Sequence, residues 1–329
     1  MKSITTLLIA IIAFCAVSCD ALRTASKVNV VSQGSPYELI VVCNQPEWEG
    51  ELGDTLRSIF TAPIPHLSQV EPLFDVLRVT NQGYTRLVLR HRNIFKVVIA
   101  EGISEPEIVV EYDVNAEPQI IMTLQGDSER VVTEYLSSNR AEVLHALEMA
   151  ERNRSKEYAQ KFSLKQLDKV IADKFGVDMR VPQGYTLRAD SEDFLWLSYE
   201  YPTASEGFFI YSYPAQGNAS LKSEALLEAR NKYASRIPGP SDGSFMTTFM
   251  DVAPDYRLFR LEGRVWAEQR GFWEVDGDFM GGPYVSYSTI DTQSDRVFTI
   301  DCYVYSPKLP KRNFLHRLEH LIYNVKFEK

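Results

Sequence analysis

The chain has 329 residues, of which 45% are hydrophobic and 12% aromatic, and it carries a net charge of −9. This composition is sufficient for about two domains, each with its own core. Because the charge is acidic and no basic stripe is present, the sequence excludes nucleic acid as a partner. It also excludes electrostatic binding to anionic lipids.

The first 19 residues have the pattern of a bacterial lipoprotein leader. Lys2 is positive, residues 7–17 form an apolar run too short to span a bilayer, and Ala16 and Ser18 are small. Cleavage before Cys19 would leave a thiol that can carry diacylglycerol, with palmitate as a typical acyl chain. We therefore predict a signal peptide over residues 1–18 and lipidation of Cys19. An ordinary secretory signal cut nearby and an uncleaved anchor are the alternatives.

Lipidation would place the folded part in the cell envelope, outside the cytoplasm, with acyl chains as the membrane contact. We favour the outer membrane over the inner one. Loss of residues 1–18 removes Lys2, so the remaining 311 residues carry a net charge of −10. Residues 19–35 are polar and small without a sustained period, which predicts a tether.

The N-terminal domain is predicted over residues 36–176. A strand begins at Tyr37 with apolar residues on both faces, and a short helix covers about residues 54–60. The other predicted strands are 74–79, 83–91, 93–101, 107–113 and 118–126. Residues 128–175 have a helical period with N-cap patterns at Asn139 and Ser163, and end near Gly176. The polar stretch 151–161 is predicted to be a solvated connector.

The C-terminal domain is predicted over residues 177–329. Its predicted helices are 220–235 and 311–325, and its predicted strands are 194–201, 207–213, 245–252, 256–261, 264–275, 284–291 and 296–305. Short turns, one of them at residues 281–283, predict an antiparallel meander. The fold class is α+β: two domains, each a mainly antiparallel sheet packed with helices. The second is loosely similar to a PsbP-type sandwich in the order of its elements.

Two cysteines remain after the leader and Cys19. Cys43 and Cys302 lie inside apolar strands of different predicted domains, so we expect buried thiols that act as small hydrophobic residues. A disulfide between them stays open as an alternative. The sequence predicts no cofactor, and no cysteine spacing is typical of a metal site.

Three strings match catalytic or metal-binding motifs without the required context. Ser241 fits G-x-S-x-G, but it follows a helix and precedes a strand, the reverse of a nucleophile elbow. His316 and His320 form H-x-x-E-H, yet a helical projection turns both away from the apolar stripe, so we expect surface residues. Residues 274–278 resemble a calcium loop that lacks its distal glutamate. We therefore predict no metal site.

The strand at residues 264–275 carries the best candidate for a binding surface. Because side chains alternate in a strand, one face collects the candidate ligand-binding residues Trp266, Glu268, Arg270, Phe272 and Glu274. Aromatic rings beside carboxylates suit a glycan or a peptide segment of an envelope protein. The alternative is that the rings pack under the helix that begins at Ser220 while Glu268 and Arg270 form an ion pair.

An enzyme is the alternative function. A glycan or peptide hydrolase would need two carboxylates close together, but Glu268 and Glu274 are about 20 Å apart along one strand. The partner acid would have to come from another strand, at Asp291 or Asp301. We therefore expect a non-enzymatic binding or assembly module, and no catalytic residue is assigned.

Several strings resemble an uncharacterised lipoprotein family of the Bacteroidetes, catalogued as a domain of unknown function. They include PYELIVVCNQPEWEGELGDTLRSIF, EYPTASEGFFIYSYP, RIPGPSDGSFMTT and GFWEVDGDFMGGPYVSYST. The resemblance spans nearly the whole mature chain. It implies an envelope lipoprotein and carries over no functional residue.

We predict that Cys19→Ser abolishes acylation and moves the protein from the membrane fraction to the soluble fraction, because only this thiol can carry the lipid. Intact-mass spectrometry and membrane fractionation measure the two effects. Cys15→Ser is the matched control, since Cys15 leaves with the signal peptide and its loss should change neither readout. An unacylated, uncleaved amino terminus in the cytosol would contradict the lipoprotein prediction.

Overall fold

The computed structural model describes residues 30–327 of the chain. The predicted signal peptide, Cys19 and most of the predicted tether lie outside these residues. The α-helices of the described part are α1 (Gln45–Glu49), α2 (Glu51–Phe60), α3 (Glu129–Ser138), α4 (Arg140–Lys161), α5 (Lys165–Phe175), α6 (Ser223–Ala234) and α7 (Arg312–Glu319). In this part of the chain, none is long and apolar enough to cross a membrane.

The strands of the described residues form two large sheets and one small one. The first sheet contains β1 (Glu38–Val42), β2 (Asp75–Val79), β3 (Asn93–Ile99), β4 (Glu107–Tyr112) and β5 (Ile120–Gly126). The small sheet pairs β6 (Val177–Asp178) with the final strand of the described chain. The second large sheet contains β7 (Thr186–Ser191), β8 (Phe194–Glu200), β9 (Ser205–Pro214), β10 (Phe245–Thr248), β11 (Asp255–Leu261), β12 (Arg264–Asp276), β13 (Gly281–Asp291) and β14 (Arg296–Tyr305). The final strand, which pairs with β6, is β15 (Lys326–Phe327).

The described residues divide into two compact units. One contains the chain through Gln45 together with Leu77–Val132, and the other contains Pro46–Val76 and the residues from Thr133 onward. The predicted α+β class, with sheets packed against helices in two domains, is confirmed. The division between Val132 and Thr133 falls within α3, and α5 buries Ile171 in the core of the second large sheet.

The sheet of the first unit has the order β2-β1-β3-β5-β4. Strands β1, β3 and β5 are parallel to one another. Strand β4 runs antiparallel to its neighbour β5. This differs from the mainly antiparallel pairing expected for this domain. The apolar runs of β1 and β5 are buried on both faces, which is typical of parallel strands, so the signal was present in the sequence.

The predicted strand at residues 83–91 is wrong. Residues 81–83 and 86–87 form turns, and Val88–Arg90 form one turn of 3₁₀ helix, after which the His91 amide donates to the Val88 carbonyl. Leu87 is largely exposed. Alternating apolar residues therefore did not indicate a strand here. Within residues 30–327, His91 alone of this segment forms a β-bridge, to Gln33.

The second large sheet has the order β10-β12-β13-β14-β9-β8-β7, with β11 also paired to β12. Every strand pair in it is antiparallel, as the meander prediction required. Strand β7 was missed in the sequence, because its residues TLRADS carry little apolar alternation and most are exposed. The small strands β6 and β15 join the start of this domain to its end.

Helices cover both faces of this sheet. On one face, Phe208 and Ile210 of β9 pack in a cluster with Ile171 of α5 and Leu318 of α7. On the other face, the intervening residues of β9 pack with Tyr233 of α6. Successive side chains of β9 therefore pack into two separate cores, one on each face of the sheet.

The three helices that follow β5 along the chain agree with the prediction in part. Three helices occur, and Gly176 ends α5 in the left-handed conformation that glycine adopts readily. Asn139 does not cap α4 through its side chain, and the predicted solvated connector is wrong. Residues 151–161 continue α4, with Glu151 and Arg154 buried as an ion pair of 2.9 Å. Their charges compensate each other, which permits burial of a polar stretch.

Glycines near the β12–β13 hairpin have a packing role that the turn prediction did not anticipate. The turn lies at residues 277–280, and Gly281 and Gly282 already belong to β13. A Cβ on Gly282 would lie 2.1 Å from the Val304 carbonyl oxygen, so only glycine fits.

Cys43 and Cys302 are both buried thiols, as predicted.

A buried ion pair connects α6 to the second large sheet. Arg230 and Asp301 are both 0% exposed, and Arg230 Nε donates to Asp301 Oδ2 at 2.9 Å. Arg230 also donates to Thr248 Oγ1 at 2.7 Å, and its guanidinium lies 3.6 Å from the centre of the Tyr284 ring. The Arg230 guanidinium therefore contacts a carboxylate, a hydroxyl group and an aromatic ring of the sheet.

We predict that Arg230→Ala lowers the free energy of unfolding by about 3–5 kcal/mol, because it leaves the Asp301 carboxylate buried without its cation. Urea unfolding followed by tryptophan fluorescence measures the loss. The double variant Arg230→Met with Asp301→Leu removes both charges and should recover most of it. Equal losses in the single and double variants would show that shape, and not charge, determines the effect.

Candidate functional site

Strand β12 holds the predicted binding residues on one face, as the alternation predicted, and Val265 and Ala267 lie on the other face. It pairs with β13 on one side and with β11 and then β10 on the other. The register places Tyr287 opposite Glu268 and Val285 opposite Arg270. The pairing therefore places Tyr287 beside the Glu268 and Arg270 pair.

Trp266 belongs to the protein core. It is 2% exposed and packs in the cluster that contains residues of α5 and α7, with its ring 6.3 Å from that of Phe327. Its indole therefore offers no platform to a ligand, which differs from the predicted role. The face is covered by α7 and not by the helix near Ser220, because Val265 and Ala267 on the opposite face pack there.

Glu268 and Arg270 form the centre of a buried charge cluster. Glu268 accepts hydrogen bonds from Arg257 at 2.7 and 3.0 Å and from Arg270 Nε at 2.8 Å. Arg270 also forms an ion pair with Glu319 at the end of α7. His316 Nδ1 lies 2.6 Å from the other oxygen of Glu319. One arginine thus links two carboxylates from different elements.

These contacts keep both carboxylates ionised. Burial opposes ionisation of Glu268, but the hydrogen bond from Arg257 and the charge of Arg270 hold its pKa below the ordinary value. Burial likewise opposes ionisation of Glu319, and the charges of Arg270 and His316 lower its pKa strongly. The two carboxylates raise the pKa of Arg270 although burial acts against it. The cluster is therefore a set of locked charges.

The expectation that His316 and His320 face solvent is wrong. His320 is 4% exposed, its Nδ1 lies 2.7 Å from Ser155 Oγ, and its Nε2 lies 3.5 Å from Glu148 on α4. The projection assumed one α-helix over residues 311–325, but α7 ends at Glu319 and residues 320–324 form a 3₁₀ helix. One 3₁₀ step differs from an α-helical step by only about 20°. The burial of His320 comes from α4, whose Ser155 and Glu148 contact its ring.

Beyond Arg270, the same face of β12 opens into a groove of about 470 Å³ at the β12–β13 hairpin. The groove is mainly apolar, and Phe272 and Glu274 of the predicted set contribute to it. Its lining residues are Ser68, Phe249, Val252, Phe272, Trp273, Glu274, Asp278, Phe279, Met280, Gly281 and Gly282. Phe272 and Glu274 therefore lie together at a concave surface.

Phe279 is the most accessible aromatic side chain at this groove. It lies in the turn after β12 and is fully exposed. The turn is held in place because Asp278 accepts hydrogen bonds from the Ser241 hydroxyl at 2.7 Å and from the Phe279 amide at 2.6 Å. Sequence reasoning missed this residue, although an apolar pair, Phe279 and Met280, inside a polar turn was a usable signal.

Glu274 is the available carboxylate of the groove. Among residues 30–327, no hydrogen bond or ion pair engages its side chain. The arrangement can therefore hold a ligand with an apolar body beside Phe272 and Phe279 and a cationic or hydrogen-bond-donating group against Glu274.

A second cavity of about 390 Å³ lies over the charge cluster. Its lining residues are Pro65, Asp255, Tyr256, Arg257, Glu268 and Arg270. Glu268 is already engaged by two arginines, so this cavity presents compensated charge and little free bonding capacity. Of the predicted set, Glu268 and Arg270 therefore lie at this cavity, Phe272 and Glu274 lie at the groove, and Trp266 lies at neither.

The motif strings of the sequence have structural roles. Ser241 lies in the loop before β10 and donates its hydroxyl to Asp278, with no histidine at that oxygen in the described part of the chain. Across residues 30–327, no group of three or more His, Cys, Asp or Glu side chains is arranged to hold a metal ion.

Two family models match the chain, both by the description domain of unknown function: DUF8532 over residues 32–160 and DUF4837 over residues 164–324. No curated protein matches the chain. A crystal structure at 1.50 Å resolution of a protein from Bacteroides thetaiotaomicron VPI-5482 is similar at 15% identity, with a TM-score of 0.26. That match covers 47% of this chain and 46% of the other, and its TM-score is too low to bear on function.

We predict a pH dependence of stability from Glu148. Burial would raise its pKa, but contacts with His320 and the charges of His316 and Arg152 lower it from 4.5 to about 2. Its stabilising contribution is therefore present above pH 4.5 and is lost as the pH falls toward 2. Glu148→Gln should remove up to about 3 kcal/mol of this dependence in urea unfolding between pH 5 and pH 2.5. Glu142→Gln, at an exposed position on the same helix, should leave the dependence unchanged.

Proposed function

We propose that this protein is a lipid-anchored protein of the bacterial cell envelope that binds a partner through the β12–β13 groove without breaking a covalent bond. The leader pattern supports this location: Lys2 is followed by the apolar run 7–17 and by small residues before Cys19. The resemblance of the chain to a Bacteroidetes lipoprotein family supports it as well. On this proposal, the outer membrane carries the anchor and the two domains act outside the cytoplasm.

The fully exposed Phe279 beside an apolar groove carries the binding proposal. An aromatic side chain in water is unfavourable unless a partner covers it, and here the turn that bears it is fixed by two hydrogen bonds to Asp278. A fixed, exposed aromatic anchor is typical of the centre of a binding surface.

The groove suits a segment of an envelope protein better than it suits a plain apolar ligand. Phe272 and Phe279 offer flat apolar contact, while Glu274 requires a donor or a cation from the ligand. A lysine or arginine beside an apolar residue of a partner protein provides both. A glycan with an apolar sugar face and donor hydroxyl groups meets the same requirements.

The hydrolase alternative lacks support on this face. A glycan hydrolase needs one carboxyl group that stays protonated near neutral pH. The pKa of Glu268 is lowered, and that of Asp291 is lowered by hydrogen bonds from Ser294 and residue 293 against the effect of burial. Burial raises the pKa of Asp301 to about 6, but this residue is inaccessible and paired with Arg230.

We predict that a photoreactive phenylalanine analogue at position 279 forms crosslinks to an envelope partner in intact cells, because this side chain would lie in the interface. Glu274→Lys in the same chain should lower the crosslink yield about tenfold, because it reverses the charge that the ligand faces. Gel mobility and mass spectrometry of the adducts provide the measurement.

Position 158 is the matched control, because Tyr158 is an exposed aromatic on α4, away from the groove. The analogue at this position should give no adduct of the same mass. Because Phe279 is exposed, Phe279→Ala should leave the thermal midpoint of unfolding within about 2 °C of the parent. Equal adducts at positions 279 and 158, or no effect of Glu274→Lys, would contradict binding through the groove.

A further inference from the structure

Strand β4 lies at one end of the first sheet. It ends the strand order, so one side of its backbone has no neighbouring strand within residues 30–327. Val109 is 37% exposed, and Val110, whose side chain points to the opposite face, is 39% exposed, so both faces of the strand meet solvent. Tyr112 at the end of the strand is 60% exposed. An open edge with apolar side chains on both faces pairs readily with another extended segment.

The charge at this edge has a single sign. Residues 97–129 contain eight acidic residues and no lysine or arginine. Two of the acids, Glu107 and Glu111, lie in β4 itself, on the same face as Val109 and about 13 Å apart. Neither carboxylate forms an ion pair in the described part of the chain. The edge therefore presents uncompensated negative charge beside its apolar side chains.

The contacts around the two carboxylates leave their charge in place. Glu107 accepts a hydrogen bond from the neutral side chain of Gln125 on β5 at 2.6 Å. Burial raises the pKa of Tyr84, and the negative charge of Glu111 raises it further. Lys96 shares this face of the sheet, but it lies two strands away on β3, with its Nζ 5.0 Å from the centre of the Tyr84 ring. Both carboxylates are therefore available to a cation from another molecule.

A second copy of β4 is a poor occupant of the edge. Antiparallel pairing of two copies about a two-fold axis at Val109 would place Glu107 of each copy opposite Glu111 of the other. Like charges directly opposite each other on paired strands are unfavourable. The edge therefore favours a strand that carries positive charge at the positions facing Glu107 and Glu111.

We propose that the open edge of β4 binds a basic extended segment of a partner protein by strand addition. The segment carries lysine or arginine at two positions four residues apart, which face Glu107 and Glu111. An apolar residue midway between them faces Val109. This spacing follows from the similar rise of paired strands and holds for both strand directions. Backbone hydrogen bonds supply the affinity, and the cross-strand side-chain pairs select the sequence.

This surface belongs to the first compact unit, whereas the β12–β13 groove belongs to the second. The inference therefore goes beyond the proposed function and does not depend on it. Binding at the β4 edge and binding at the groove involve different residues, so each can be tested while the other surface is unchanged.

Fluorescence anisotropy with a defined peptide tests the proposal on the full chain purified in detergent. The probe is labelled Thr-Lys-Thr-Val-Thr-Lys-Thr, in which the lysines and the valine lie on one face when the peptide is extended. It should bind the parent protein about tenfold more tightly than Thr-Glu-Thr-Val-Thr-Glu-Thr does. The double variant Glu107→Lys with Glu111→Lys should reverse this preference, because both cross-strand charge pairs change sign.

The matched control is the double variant Glu101→Lys with Glu105→Lys. Both residues are exposed in the segment just before β4, so this variant has the same net charge as the strand variant. It should keep the preference for the lysine peptide. Reversal of the preference in both double variants would overturn the proposal, because the peptide would then respond to overall charge and not to the strand.

Backbone pairing is tested with lysine peptides that are methylated at alternate backbone nitrogens, in each of the two phases. An added strand turns alternate amides toward its neighbour, so one phase should bind like the unmethylated peptide and the other should not bind. Equal binding of the two phases would overturn strand addition. Failure of the unmethylated peptide to bind the parent protein would overturn it as well.

Discussion

The packing of α7 on the second large sheet depends most on the buried ion pairs that Arg270 forms. Arg270 lies on a sheet strand whose face is covered by α7, and it forms ion pairs with Glu268 of the same strand and Glu319 of the helix. Three charges in a dry layer are tolerated only because each is compensated by a neighbour in fixed geometry. The helix can therefore approach the sheet only at the position where Glu319 meets the guanidinium, which fixes how α7 packs.

The same principle recurs across this unit. Arg230 pairs with Asp301 under α6, and Glu206 is buried with the Tyr185 hydroxyl at 2.9 Å and with Arg317. Buried ion pairs contribute little net stability compared with apolar side chains of equal volume, but they are costly to break singly. Each pair therefore fixes the position of its helix on the sheet, because any shift would leave a buried charge without its partner.

The groove differs from these clusters in the feature that matters for function. Glu268 and Glu319 are engaged by arginines of the protein itself. Glu274 lies on the same strand as Glu268, at its hairpin end, and no hydrogen bond or ion pair among the described residues engages its carboxylate. Phe279 similarly lacks the cover that Trp266 receives. A surface with unfilled capacity beside uncovered apolar area gains free energy when a partner supplies both, which is why the proposed function is placed there.

The sequence by itself determined the local properties. The antiparallel meander, the alternation that places Phe272 and Glu274 on one face of β12, and the end of the helices at Gly176 follow from periodicity and turn residues. Tertiary structure alone decided which of the β12 residues are covered. Trp266 and Phe272 have the same local pattern, and only the position of α7 buries the first. It also decided the order of the strands in the first sheet and the burial of His320, because neighbouring strands and the α4 residues that contact His320 are distant in the chain.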